Sequence, residues 1–192
     1  MQYVAIDFET ASRDSCSACS IGLVRFDEEG CRLGDYYSLI KPPCAEFDPM
    51  CVAIHHLTYD DVADAPAFHA IWDDIRSFIG KSPLVAHNAQ FDMNVLSSAL
   101  SFYGLSVPPI EYYCTLSLSR KLWKVPSYAL TNLASGLGWT YDAHNALADA
   151  ETAGRLFARL CGEYLYDDEL FARFIHRLYK KSRNPFPRRL SE

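Results

Sequence analysis

Four carboxylates, Asp7, Glu9, Asp92 and Asp149, and one histidine, His144, fall in three short segments. These are Asp7-Phe8-Glu9, His87-Asn88-Ala89-Gln90-Phe91-Asp92 and His144-Asn145-Ala146-Leu147-Ala148-Asp149. Each adjoins an apolar stretch able to bring its polar groups to the edge of a sheet. Oxygen donors without thiolates suit Mg²⁺ or Mn²⁺ better than zinc. Two such ions about 4 Å apart activate water and stabilise a leaving oxygen, the chemistry of phosphodiester hydrolysis. A histidine can take the water's proton near neutral pH.

Each segment alone also has a plainer explanation. Asp7 and Glu9 stand two positions apart on a strand, so both point to one face and Phe8 to the other. A divalent cation relieves their repulsion, but so does a strand end in water. Asp92 opens a helix, where it complements the dipole, with Asn88 or His87 as the cap. His87 itself reads as a hydrogen-bonded core histidine. His144 and Asp149 are five residues apart, splayed by about 140° on a regular helix. A loop at His144, with Asn145 as N-cap, brings them to one opening. Asp149 on an Ala/Leu-rich stripe is costly unless it is paired or holds a cation.

The elements that must position these groups follow from periodicity. Tyr3 to Phe8 reads as a central strand, followed by strands over Ser20 to Asp27 and Asp35 to Lys41. Asp27-Glu28-Glu29-Gly30 makes the turn between these two, and Pro42-Pro43 ends the antiparallel run. Helical spacing marks 67–79, 91–102, 116–122, 129–137 and a long helix beginning near Asn145. Short strands are expected at 82–86 and 110–113. The order implies an α/β fold, a mixed central sheet of three antiparallel strands then parallel strands, flanked by helices. A last helix is expected over 163–182, with Leu170, Phe171, Phe174, Ile175 and Leu178 on its packing face, ending at Asn184-Pro185-Phe186-Pro187. The chain divides into a catalytic domain over 1–162 and a helical, basic extension over 163–192, packed on the same domain.

Length and apolar content suit one compact domain with a real core. The first residues carry no basic leader, and no apolar run reaches the ~20 residues of a membrane span. A cytoplasmic protein is expected. Seven cysteines without repeated spacing read as small buried thiols in a reducing compartment. Cys16 and Cys19 offer half of a zinc site, and adjacent His55 and His56 make poor partners for it. The net charge of −6 conceals an asymmetry, since seven of the 18 Lys and Arg residues lie after Ala172. The first 172 residues hold 11 basic and 23 acidic groups, a formal charge of −12. Such a body repels a polyanion at long range, so cations and local Arg/Lys contacts must offset that if the substrate is nucleic acid.

With the motifs in place, the chain resembles the DEDDh group of 3′–5′ exonucleases, which includes polymerase III proofreading subunits and ribonuclease T. The likeness rests on Asp7-Phe8-Glu9-Thr10, on Val85-Ala86-His87-Asn88-Ala89-Gln90-Phe91-Asp92, and on Ala143-His144-Asn145-Ala146-Leu147-Ala148-Asp149-Ala150. Cys19-Ser20-Ile21-Gly22, Cys114-Thr115-Leu116 and Leu133-Ala134-Ser135-Gly136-Leu137-Gly138 extend it over Tyr3 to about Leu160. The resemblance implies a ribonuclease-H-like fold, with Asp7, Glu9, Asp92 and Asp149 as ligands of two divalent ions, Mg²⁺ or Mn²⁺. His144 would be the general base. Phe8 and Thr10, with Asn88 and Phe91 nearby, would shape the terminal-nucleotide pocket. Ile54-His55-His56-Leu57-Thr58 resembles a substrate-facing loop that commonly reads Ile-His-Gly-Ile-Thr, so Ile54 and His55 join the substrate contacts and His56 replaces a glycine.

The expected reaction is hydrolysis of the terminal phosphodiester of single-stranded DNA or RNA at a free 3′ end, releasing a nucleoside 5′-monophosphate. Alternatives are a polymerase-associated proofreading subunit, with the 171–178 stripe as its contact, and a non-catalytic nucleic-acid-binding module on the same fold. A metal phosphatase or nucleotide pyrophosphatase is a further chemical possibility.

Overall fold

The computed structural model of the chain describes residues 2–163 and 173–178. Three antiparallel strands open it: β1 (Tyr3–Thr10), β2 (Ala18–Phe26) and β3 (Arg32–Leu39). Helices α1 (Pro49–His55), α2 (Tyr59–Val62) and α3 (Phe68–Ile79) lead to β4 (Leu84–Ala86) and α4 (Gln90–Phe102). Next come β5 (Ile110–Cys114), α5 (Thr115–Leu122), α6 (Leu130–Gly136), α7 (Ala146–Glu163) and β6 (His176–Leu178). The sheet order is β3-β2-β1-β4-β5-β6, with β1, β4 and β5 parallel and the rest antiparallel. This is the mixed, helix-flanked sheet expected from the sequence.

Strand β1 organises the molecule because both its faces are covered. Val4, Ile6 and Phe8 join a core with α3 and α4, whereas Tyr3 and Ala5 join one with α6 and α7. The alternation of a strand then puts Asp7 and Glu9 on the α7 side. Two glycines let α7 lie close to the sheet. A Cβ at Gly22, which pairs with Asp7, would meet the backbone of Ala146 and Leu147 within 2.4 Å. A Cβ at Gly154 would run into the ring of Phe26. Above Gly154, its carbonyl accepts from the Tyr3 hydroxyl at 3.0 Å.

Several expectations are corrected. The extension does not form one helix: residues 176–178 add a strand antiparallel to β5, and Phe174 and Ile175 pack against the α7 core. A backbone that pairs with a sheet edge fills its hydrogen bonds there rather than along a helix. The stripe is therefore no continuous helical face, and Leu170 and Phe171 lie outside the described residues. The Asn184-Pro185-Phe186-Pro187 segment lies outside them as well. Of the seven cysteines only Cys19 and Cys114 are buried, and Cys31 is exposed. No helix among the described residues is long and apolar enough to cross a membrane.

Helix α1 has no counterpart in the periodicity, and His56, which stands where the resembled loop has glycine, follows directly on it. Asp48 caps it through Met50 N–H at 2.8 Å, and Pro49 begins it. His56 ends it at φ 62°, its N–H donating to the Val52 carbonyl. The position conserves a glycine-like conformation while carrying a side chain, a cost of about 1 kcal/mol. His56→Gly should therefore raise the denaturation midpoint by about 2–4 °C, measured by calorimetry.

Candidate active site

The site begins where β1 outruns β4. Ala5 pairs with Val85, and β4 ends one residue later at Ala86, whereas β1 continues to Thr10. Phe8 N–H thus projects past the end of its neighbour, and Asp92 takes it: Oδ1 accepts from Phe8 N–H at 3.2 Å. Asp92 is only 1% exposed, and its Oδ2 is buried without a hydrogen-bond partner. Leaving such an atom unmet costs more than a hydrogen bond ordinarily returns, which marks the spot as a place for a cation or a proton.

Asp149 arrives from the first turn of α7. Asn145 caps that helix, its side-chain oxygen accepting from Leu147 N–H at 3.1 Å and Ala148 N–H at 3.3 Å. His144, at φ 65°, turns the chain so that its own N–H reaches Asp149 Oδ2 at 2.6 Å. The Tyr141 hydroxyl donates to Asp149 Oδ1 at 2.8 Å. Side-chain donor atoms of Glu9, His144 and Asp149 lie within 4.8 Å of one another. His144 thus shares the carboxylate cluster, with its side chain at the exposed mouth.

The electrostatics are those of crowded acids. Burial, then Asp92, Asp149 and Glu9, hold the Asp7 carboxyl well above the carboxylate range. Asp92 is likewise raised, chiefly by burial. Burial and Asp149 push Glu9 up to about 8. Asp149 is raised by burial, against the opposing pull of Tyr141 and His144. Two unit charges 4.8 Å apart repel by roughly 3 kcal/mol at an effective dielectric of 20. A charge-assisted hydrogen bond returns about 1.5–3 kcal/mol, enough for Asp149 but not for four acids. Protons or bound cations must supply the rest, and the orphaned Asp92 oxygen with an oxygen-rich donor set fits a hard divalent ion.

The other sequence-derived residues divide into two groups. Ile54 and Phe91 are large, apolar and nearly half exposed, and Asn88 is exposed at φ 63°. Phe8, in contrast, is 2% exposed and packs against Phe68 in the core, so its contribution to the site is its N–H. Thr10 and His55 are buried and bonded to each other. His55 Nε2 donates to the Thr10 carbonyl at 3.1 Å, while Nδ1 accepts from Leu57 N–H at 3.0 Å. With both ring nitrogens taken, His55 ties α1 to the end of β1 instead of presenting a free polar edge. His87 is the hydrogen-bonded histidine expected, joined to Thr115 Oγ1 and the Tyr128 carbonyl, each at 2.9 Å. Burial, aided by Arg120, lowers its pKa to about 4, so it is neutral. Neither Asn88 nor His87 caps α4, which starts after Ala89 without a side-chain bond. Cys16 and Cys19 join no metal-ligating group among the described residues. Tyr141 carried no sequence signal, because its link to Asp149 spans eight residues through a turn.

A family model described as an exonuclease, RNase T type, matches residues 4–157. The chain belongs to the DEDDh/RNase T exonuclease superfamily. The epsilon subunit of DNA polymerase III from Treponema pallidum is 32% identical over 168 residues, 84% of this chain and 77% of that protein. The 3′–5′ exonuclease DinG of Staphylococcus saprophyticus is also 32% identical, over 80% of this chain, which spans only 17% of that much longer protein. Among solved structures, exonuclease X in complex with 5′ overhanging duplex DNA superposes with a TM-score of 0.71 at 27% identity, covering 90% of this chain and 98% of that one. The nuclease domain of 3′hExo bound to rAMP shares the fold at 18% identity, covering 84% of this chain and 92% of that one, with a TM-score of 0.72.

Carboxyls raised by folding keep protons that the unfolded chain has released. The stability they lend is full below about pH 4.5, the ordinary value of a glutamate, and is lost as the pH climbs through about 8. Metal-free protein should therefore lose thermal stability between those limits, and Mg²⁺ should restore it at the upper end. Asp7→Asn should flatten the pH dependence and raise the metal-free midpoint by about 2–4 °C. A midpoint that rises with pH in EDTA would contradict this reading.

Proposed function

We propose that the chain is a metal-dependent 3′–5′ exonuclease that hydrolyses the terminal phosphodiester of single-stranded DNA or RNA and releases a nucleoside 5′-monophosphate. The observation that carries the reading is the buried acidic cluster around Asp92, whose Oδ2 has no hydrogen-bond partner among the described residues. Asp7, Glu9, Asp92 and Asp149 would hold two divalent ions, Mg²⁺ or Mn²⁺. Bound there, such ions supply Lewis-acid stabilisation of charge on the attacked phosphate and the leaving 3′ oxygen.

The chain's own residues do the remainder. His144, exposed beside Glu9 and Asp149, accepts the proton of the attacking water at its imidazole. Tyr141 and the His144 N–H fix both oxygens of Asp149, so this carboxylate stays oriented through the turnover. Ile54 and Phe91 provide apolar surface for the last base or sugar, a sequence-tolerant contact. Thr10 and His55 keep the floor beneath them rigid.

The epsilon relative supports a second reading, in which the enzyme works as the proofreading partner of a polymerase. Co-purification of a polymerase subunit would favour it, and cleavage of free strands at full rate by the isolated chain would weigh against it.

The deciding assay follows 5′-labelled single-stranded DNA and RNA of equal sequence with Mg²⁺ or Mn²⁺, against EDTA. Ladders shortening from the 3′ end are expected, lost in Asp7→Asn and Asp149→Asn with the fold retained. Tyr141→Phe should keep cleavage but weaken metal dependence, raising the half-saturating Mn²⁺ concentration roughly tenfold. An Asp7→Asn enzyme at wild-type rate would sink the assignment.

A further inference from the structure

A second opening adjoins the acidic site on the side of α4 and α5. A cavity of about 620 Å³ is lined by His87, Asn88, Leu116, Arg120 and residues 126–129. Asn88 lines it from the loop between β4 and α4, a short step before Asp92 in the chain. The wall is held firmly. His87 bridges Thr115 to the Tyr128 carbonyl, and the Tyr128 hydroxyl donates to the Trp123 carbonyl at 3.0 Å.

Three polar side chains that line this cavity can donate into it: Arg120, Ser127 and Asn88. Arg120 enters no ion pair among the described residues, and its guanidinium lies over the Tyr128 ring, 6.0 Å from the centroid. Ser127 Oγ already accepts from Asn132 Nδ2 at 2.8 Å and Ala129 N–H at 3.4 Å, which leaves its own hydrogen to donate. Asn88 presents a side-chain amide on an exposed left-handed turn. A guanidinium, a hydroxyl and an amide around one space, on a body otherwise strongly acidic, match a phosphate diester.

We propose that this cavity receives the phosphate next upstream of the scissile one, on the 5′ side of the penultimate nucleotide, with Arg120 as its cationic contact. The proposal rests on the exonuclease reading and deepens it: the strand leaves the acidic site past Asn88 and enters a pocket that counts nucleotides from the 3′ end. It makes the enzyme prefer a substrate carrying that phosphate over one lacking it, whatever the base.

The test compares the dinucleotide TpT with its 5′-phosphorylated form pTpT, in Mn²⁺, for wild type and Arg120→Gln. In wild type the 5′ phosphate should lower KM roughly five- to tenfold, and in Arg120→Gln that preference should fall toward one. On longer single strands, the slope of log KM against log salt should also flatten by about 0.7, the share of one phosphate contact. Arg120 is exposed, so its replacement is compatible with folding, which circular dichroism checks. No phosphate preference in wild type, or the same preference in Arg120→Gln, overturns the inference while the exonuclease reading stands. Failure of wild type to cleave either dinucleotide or any longer strand overturns that reading, and the inference with it.

Discussion

Everything in this molecule is arranged around the difficulty of keeping four carboxylates close together and away from water. Water would solvate them separately; a core would neutralise them. The fold places them at the end of a sheet, where one flank is apolar packing and the other is open. Asp7 and Glu9 come from the α7 face of β1, Asp92 from the helix that follows β4, and Asp149 from the first turn of α7. The early end of β4 is what admits Asp92, since a longer β4 would occupy the Phe8 N–H that this carboxylate takes. Helix-end donors and a tyrosine steady Asp149, but Asp92 Oδ2 meets no hydrogen-bond partner among the described residues. The instability is local, and the surrounding cores Phe8–Phe68 and Tyr3–Phe26–Phe157 hold the strand and helix in place against it.

Backbone strain is distributed by the same logic. Among the described residues, the non-glycine positions with positive φ are His56, Asn88 and His144, one in each of three separate loops. Each turns the chain sharply where a regular helix start or end would carry a side chain elsewhere. At His144 the turn delivers both an N–H to Asp149 and an imidazole to the mouth. At Asn88 it sets the side chain on the wall of the cavity shared with Arg120.

Much of this was legible in the residues. Alternation in Tyr3–Phe8 identified a central strand and the shared face of Asp7 and Glu9, because a two-residue repeat is local geometry. Asn145 was readable as a cap, since capping is also local. What escaped depends on distant partners. Asn88 looks like a cap by type, yet its backbone is spent on the turn and α4 begins after Ala89. The same alternation that turns Asp7 and Glu9 toward α7 turns the Phe8 ring into the opposite core, so what Phe8 brings to the acidic end is its N–H. The helix expected at 163–182 has good apolar spacing, yet residues 176–178 meet the open edge of β5, which the local sequence does not record. Tyr141 and Ser127 matter through contacts that no spacing rule anticipates.

Gly22 has no functional group, yet it stands opposite Asp7 with the first turn of α7 pressed on its Cα. Any side chain there would lift the first turn of the helix that carries Asp149, and with it the apolar face of α7 that packs on β1 and β2. A survey of substitutions scored by activity would find this position as intolerant as the acids; scored by abundance it would set the glycine apart, since replacing an acid relieves repulsion whereas a side chain here displaces α7. Part of what distinguishes a working enzyme from a folded relative is thus written in a missing methyl group.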